Sequence, residues 1–370
     1  MLTLLVSGFL LGAPVKPVPV EIKSNWAFWR GNATSQGIGD AQLPDELQER
    51  WAFKTKDMIA GAPAIAGDVI YVASMDRHLY AINATTGKEL WKQKLGMMKG
   101  SPLIHEGKIY VGNIDGKVYC RDAKTGEAVW MFDNESGEIA SGLNIHGTNI
   151  LVAAQGMPVT CLNEKGDKAW TFDIDGGSNG TPTVSGDVCF ASGCDSHFHA
   201  IDAKTGNGLW KLELPGQAAA TPCVKDGVAY IGTVTNQVVA IDLKSKEKIW
   251  QFEAAKKAQP FYSSAAIAGD VVILGSRDRK VYGLNRKTGK EIWNFITEGA
   301  VDSSPVVVGQ RVYVGCQSLT GEFYVLDVKS GKQLQEVTLD SAVTGSVAVG
   351  KDYILVGTEK GTLYCLGKAP

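Results

Sequence analysis

Apolar and polar residues alternate with a period of two in short runs along the whole chain, and no stretch carries the helical period. In the stretch 62–92 these runs fall at 62–66, 69–73, 79–83 and 89–92, four candidate strands. Turn chemistry separates them: Gly67-Asp68, then Met75-Asp76-Arg77, then Thr86-Gly87-Lys88. The block then repeats. DRHLYAINATTGKELW at 76–91 returns with substitutions at 115–130, 195–210 and 278–293, and weaker copies end at Trp170 and Trp250. Trp51, Trp91, Trp130, Trp170, Trp210, Trp250 and Trp293 stand 40, 39, 40, 40, 40 and 43 residues apart, and Gln335 takes the same place 42 residues further on. A fixed period near 40 signals a propeller or a solenoid, and four antiparallel strands per unit select the propeller.

Seven units run complete from Gly61 to Gln335. The tail at 345–367 supplies three strands and stops before a fourth, whereas the strand at 50–54 bears the anchor Trp51 and lacks its own first three. Joining them gives an all-β, eight-bladed propeller with four antiparallel strands per blade, the last blade closed by the N-terminal strand. Closure of this kind removes open sheet edges. The predicted segments are a signal peptide and Pro-rich linker at 1–20, a Trp-containing lead-in at 21–49 and the propeller at 50–367. The apolar run at 1–13 is too short to span a bilayer and fits the core of a secretory signal; a disordered hydrophobic lead is the alternative. Trp26, Phe28 and Trp29 are too many aromatics for a free linker. They are expected to pack on the propeller flank or over one face, with a ligand or partner clamp as the functional alternative.

Positions within the repeat carry their own expectations. Pro63, Pro102, Pro182, Pro222 and Pro305 suit the start of an edge strand, because proline offers no donor. The third strand keeps a small residue at one site: Ala81, Cys120, Cys161, Ala200, Ala240, Gly283, Val325 and Cys365. A neighbouring sheet packing closely would account for it. The repeated tryptophans, Trp51 to Trp293, belong between adjacent blades, where the indole N–H needs a partner from the next blade. Asp76, Asp115, Asp195 and Asp278 read as turn residues whose carboxylates bond nearby backbone.

Charge and candidate chemistry change this picture little. With 37 basic and 39 acidic residues the net charge is −2, without the basic excess of a nucleic-acid binder. No apolar run long enough to span a membrane follows the N-terminus. Seven cysteines show no metal spacing. Cys120, Cys161, Cys365, Cys189 and Cys223 fall at core positions of the repeat, whereas Cys194 and Cys316 stand at or beside loops, where a thiol is open to reaction. His197 and His199 flank Phe198 on one strand and face the same side, a possible metal chelate with Asp195 against a purely structural reading.

Taken together, small-Pro at the first strand, Tyr-Val-Gly/Ala at the second, Asp-x-x-Val/Leu-Tyr-Ala-Ile-Asp at the third and Thr-Gly-Lys-x-x-Trp at the fourth resemble the PQQ-like repeat of the quinoprotein alcohol dehydrogenase-like propellers. The match covers about residues 50–367. In size and single-domain layout the chain is most similar to the BamB-like branch, periplasmic propellers of the outer-membrane β-barrel assembly machinery. The sequence departs from that branch in having no cysteine before Cys120 for lipidation. For dehydrogenase members the resemblance implies a quinone, an adjacent cysteine pair, calcium ligands and a catalytic aspartate. Here the closest cysteines are Cys189 and Cys194, five apart. The expected function is therefore a non-catalytic scaffold that binds protein partners among envelope or outer-membrane assembly components. It is expected to be monomeric, to bind no nucleic acid, cofactor or metal, and to be periplasmic or otherwise exported. The alternative is a quinone- or small-molecule-binding propeller enzyme. Candidate partner-binding residues lie on the face that carries the loops from strand four to strand one and from strand two to strand three. They are Met97 and Met98, Phe261 and Tyr262 at the end of a long loop, and Arg277 and Arg279. The competing role for these side chains is plugging the channel or facing solvent.

Overall fold

The computed structural model describes residues 24–134, 137–254 and 259–369; the predicted segment 1–20 lies outside them. Eight antiparallel sheets form the blades. Blade 1 holds Ala64–Ala66, Val69–Ala73, His78–Asn83 and Glu89–Lys94, counted from the channel outward. The inner strands are covered on both faces by neighbouring blades and read as nearly continuous apolar runs. The outer strand alternates, with Trp91 and Gln93 part-buried between exposed Leu90, Lys92 and Lys94. Blade 8 closes the ring as the repeat predicts: Gln48–Lys54 pairs antiparallel with Thr362–Gly367, Trp51 opposite Cys365.

The tryptophans rivet neighbouring blades. The indole N–H groups of Trp51, Trp91, Trp130, Trp170, Trp250 and Trp293 donate to Ala84, Lys124, Glu164, Ala203, Arg286 and Val328 carbonyls at 2.9–3.2 Å, each in the next blade's outer turn. The turn glycine lies flat on the same ring. A Cβ on Gly206 would stand 2.7 Å from Trp170, and one on Gly331 2.5 Å from Trp293. Both glycines have positive φ, 76° and 67°, so two constraints fix the Thr-Gly pair of the repeat. The small third-strand residue has a different cause from the one expected. It sits directly opposite the tryptophan in register, as Ala81 does to Trp91 and Gly283 to Trp293. The indole of its own sheet takes the space: a Cβ on Gly283 would come within 2.2 Å of Trp293. A bulge beside this pair in every blade swings the outer strand and aims the ring at the next blade.

The lead-in corrects a second expectation. It packs neither on the flank nor over a face, but runs around the inside of the ring. Ser24–Trp26 adds an antiparallel strand to the inner edge of blade 1, and Ile38–Gly39 a parallel one to blade 7, so these two sheets have five strands. Between them, lead-in carbonyls accept the N–H of Ile104 on blade 2, Val184 on blade 4, Val224 on blade 5, Ile267 on blade 6 and Val307 on blade 7, at 2.8–3.2 Å. On blade 3 the Asn144 side-chain amide donates to Ala33 at 2.8 Å, and at blade 8 Gly39 is pressed against Val349. Eight inner strands would otherwise turn unpaired N–H groups into the channel. Residues 26–39 satisfy them on six blades, reach blade 3 through the Asn144 amide and meet blade 8 by packing alone. The chain then leaves past Lys351 and Arg311, which bond Gln42, Pro44 and Asp45, and enters the outer strand of blade 8.

Candidate functional site

The upper face, with the strand-four-to-one and two-to-three loops, opens on a cavity of about 140 Å³. Trp29 forms part of its lining, with Ser101, Thr181, Thr221, Ser264 and Ser304 around the wall. These hydroxyl residues share one position of the repeat, two residues before the inner strand. Ser101 Oγ accepts the N–H of Ala62, Thr221 that of Thr181, Ser264 that of Thr221 and Ser304 that of Ser264, at 2.8–2.9 Å. Blades 2, 5, 6 and 7 thus each cap the backbone of the one before, and hydroxyls line much of the mouth. Lys99 and Asp302 also line the cavity, and both are paired: Lys99 with Glu138, Asp302 with Arg277.

The predicted partner-binding residues divide. Met98 and Phe261 are fully buried, which removes them from any docking surface. Both occupy a core position of the loop that repeats as Ile59, Ile139, Val301 and Val343, whose N–H groups bond the preceding blade in the same way. The side chain there packs on the last residue of a second strand; a Cβ on Gly232 would meet Phe261 at 2.5 Å, and one on Gly315 would meet Val343 at 2.3 Å. Met97 is part-buried, and Tyr262, Arg277 and Arg279 remain on the upper face. The Arg277 guanidinium stacks 4.3 Å over the Tyr262 ring and grips Asp302 through two bonds of 2.7–2.8 Å. That bidentate pairing raises the Arg277 pKa. Part of the long loop before Phe261, residues 255–258, lies outside the described residues. Two neighbours escaped the sequence reading. Leu319, at the tip of the blade 7 two-to-three loop, is 97% exposed, and Ile296, at the upper end of blade 6's outer strand, is 66% exposed. The greater length of the Gln317–Gly321 turn was the available signal for Leu319.

The histidine pair serves the fold. His199 Nε2 lies 2.7 Å from the Asp195 carboxylate, the bond that the Tyr80 hydroxyl makes to Asp76 at 2.6 Å and the Tyr282 hydroxyl to Asp278 at 2.5 Å. Burial, only partly offset by Asp195, lowers the His199 pKa. Asp76 and Asp195 also accept the N–H of His78 and His197, as turn residues should, whereas in blade 2 Asn113 rather than Asp115 takes that part. Among the described residues no group of three His, Cys, Asp or Glu is placed to hold a metal. All seven cysteines are free. Cys316 is buried and its thiol pKa raised, so the expectation of an open thiol fails there; Cys194 alone is partly exposed. The quinone and calcium of the dehydrogenase members do not fit these residues. The hydroxyl-lined cavity is smaller than the several hundred Å³ usual for a cofactor site, roughly 300–1,000 Å³, and no pair of cysteines flanks it.

Comparison with known proteins bears on the same point. The fold superposes on BamB from Moraxella catarrhalis with a TM-score of 0.75 at 19% identity, covering 87% of this chain and 98% of that one. It superposes on a europium-containing methanol dehydrogenase with a TM-score of 0.77 at 14% identity, covering 94% and 99%. At such identities the likeness is one of fold. A curated relative, the beta-alanine-activating enzyme of Danio rerio, is 31% identical over 112 residues, 29% of this chain and 10% of that protein. The chain therefore spans about a tenth of that relative's length. The family described as outer membrane protein assembly factor BamB matches residues 44–157 and 155–370, from the lead-in's exit to the C-terminus. This chain belongs to that family of PQQ-like repeat propellers.

Proposed function

We propose that this propeller is a non-catalytic scaffold of the cell envelope that binds another protein through the upper face of blades 6 and 7. One observation carries the choice of surface. Leu319 and Ile296, the two most exposed large hydrophobic residues among those described, both rise from that face. Beside them stand Arg279 and the Arg277–Tyr262 stack held by Asp302. Exposed aliphatic side chains beside arginine and an aromatic ring are the usual anchors of a protein interface. The family's description supports the partner class, and the apolar segment at 1–13 supports export. The test is affinity capture from envelope extracts with the wild type and a Leu319→Ala/Arg277→Ala variant. Loss of a partner by the variant, with an unchanged thermal midpoint, is the expected outcome. Equal recovery by both proteins would refute this surface.

The second reading, a quinone-dependent enzyme, draws on the likeness to the methanol dehydrogenase. An absorbance spectrum of the purified protein after addition of quinone and calcium decides it, since a bound quinone absorbs where this chain does not.

A further inference from the structure

The channel holds a charge that nothing in the described structure balances. Arg30 is fully buried, and its backbone sits in the left-handed region at φ 58°. Its Nη2 donates to the Ala265 carbonyl at 2.7 Å and its Nε to Ser35 at 3.3 Å, while Nη1 has no partner. No carboxylate pairs with it among the described residues; Cys223, the one ionisable neighbour, is a buried thiol pushed up to about 12 and therefore neutral. Burial pushes the guanidinium down to about 10, which leaves it charged at neutral pH. A buried, unpaired cation is costly, and a structure that keeps one gains from any anion that comes near it.

Ala265 is next in sequence to Ser264 of the mouth, so this charge lies one residue below the cavity wall. The wall itself is rich in donors. Ser101, Thr221, Ser264 and Ser304 each spend an oxygen lone pair on a backbone N–H, so the proton of each hydroxyl remains to be given. Thr181 is 1% exposed, lines the cavity, and its Oγ1 has no partner at all. The Trp29 indole N–H beside it is likewise buried and unpartnered. The two charged groups of the wall, Lys99 and Asp302, are each neutralised by an ion pair.

We infer that the channel mouth is a binding site for one small oxyanion, a carboxylate or an inorganic ion of similar size, held by the wall hydroxyls and the Trp29 N–H above the buried Arg30. The site adjoins the surface on blades 6 and 7 through Tyr262 and Asp302, but the substitutions that test the two, at Thr181 and Trp29 here and at Leu319 and Arg277 there, touch different residues, so either can fail without the other.

Isothermal titration of the full chain with sodium acetate and with sodium phosphate, at ionic strength held constant with chloride, tests it. Saturable one-to-one binding of either probe is expected, with a matching rise in thermal midpoint. Which of the two binds tells a carboxylate from an inorganic ion. Thr181→Val breaks no bond of the fold, because Oγ1 makes none, and removes one donor. Affinity should fall roughly tenfold, as for loss of one hydrogen bond to a charged group. Trp29→Phe should weaken binding similarly. Absence of saturable binding with both probes would overturn the inference. So would binding that neither variant weakens.

Discussion

At the joint between blades 3 and 4, Trp170 donates to the Ala203 carbonyl at 3.2 Å and lies on Gly206; at the joint between blades 7 and 8 the same work is done without a tryptophan. There Gln335 accepts the Leu47 N–H and donates to the Leu47 carbonyl, both at 2.8 Å. The difference follows from where the chain ends. Blade 8 has no turn between its third and fourth strands, because those strands come from opposite ends of the sequence. Without a turn there is no glycine for an indole to lie on and no turn carbonyl to receive its N–H. An amide side chain, which both donates and accepts, instead grips the single residue that enters the outer strand. The third-strand site changes with it: Val325 opposes Gln335, where Cys161 opposes Trp170. A small residue is needed only where a ring must fit.

Several substitutions strain this contrast. Trp170 is 8% exposed, and Trp170→Ala should lower the unfolding free energy by about 3–5 kcal/mol in chemical denaturation. Gly206→Ala meets both the positive φ and the indole; a loss of about 2–3 kcal/mol is expected, and an unchanged midpoint would show that the turn relaxes freely. Gln335→Leu leaves two backbone groups of Leu47 without a partner and should cost about 1–2 kcal/mol. Its signature is local: amide exchange should quicken in Gln48–Lys54 while the Trp170 joint stays protected. Gln335→Trp should not stabilise the seam, because Val325 crowds the ring and no turn lies beneath it. Blade 5 offers the converse test, since its outer turn holds Lys246 at φ 63° where other blades have glycine. Lys246→Gly should stabilise by about 1 kcal/mol.

The smallest expected effect depends on pH. His199 has its folded-state pKa below the ordinary 6.5, mainly through burial. The unfolded chain therefore takes up the proton first, so stability rises with pH through this range and falls on acidification below about 6.5. His199→Tyr restores the tyrosine that blades 1 and 6 use against their loop aspartates, and removes the titration. The wild type should lose more of its thermal midpoint between neutral pH and pH ~5 than the variant. Equal losses would place the acid sensitivity elsewhere.

The ring itself was legible from the repeat. Blade number, the strand that completes blade 8, and the inter-blade tryptophans with their need of a partner in the next blade all follow from one spacing, because each unit can bury its faces only against copies of itself. The same regularity hid the role of Met98 and Phe261. Read as loop residues they look available, but lined up with Ile59, Ile139, Val301 and Val343 they mark a core position of every blade. That the lead-in packs on the propeller was legible in its aromatics, but its path through the channel was not. Its bonds to the blades are made largely by its own carbonyls, and a backbone carbonyl leaves no mark in a sequence. Arg30 shows the same limit: a charge amid aromatics gives no sign of being buried unpaired until the inner strands are assembled around it. What the amino-acid order determined alone was everything periodic, since hydrophobic spacing and turn chemistry act locally and identically in each copy. What the folded ring decided was everything that happens once, the threading of the channel and the charge and donors left inside it, because those depend on side chains and backbone brought together from all eight blades.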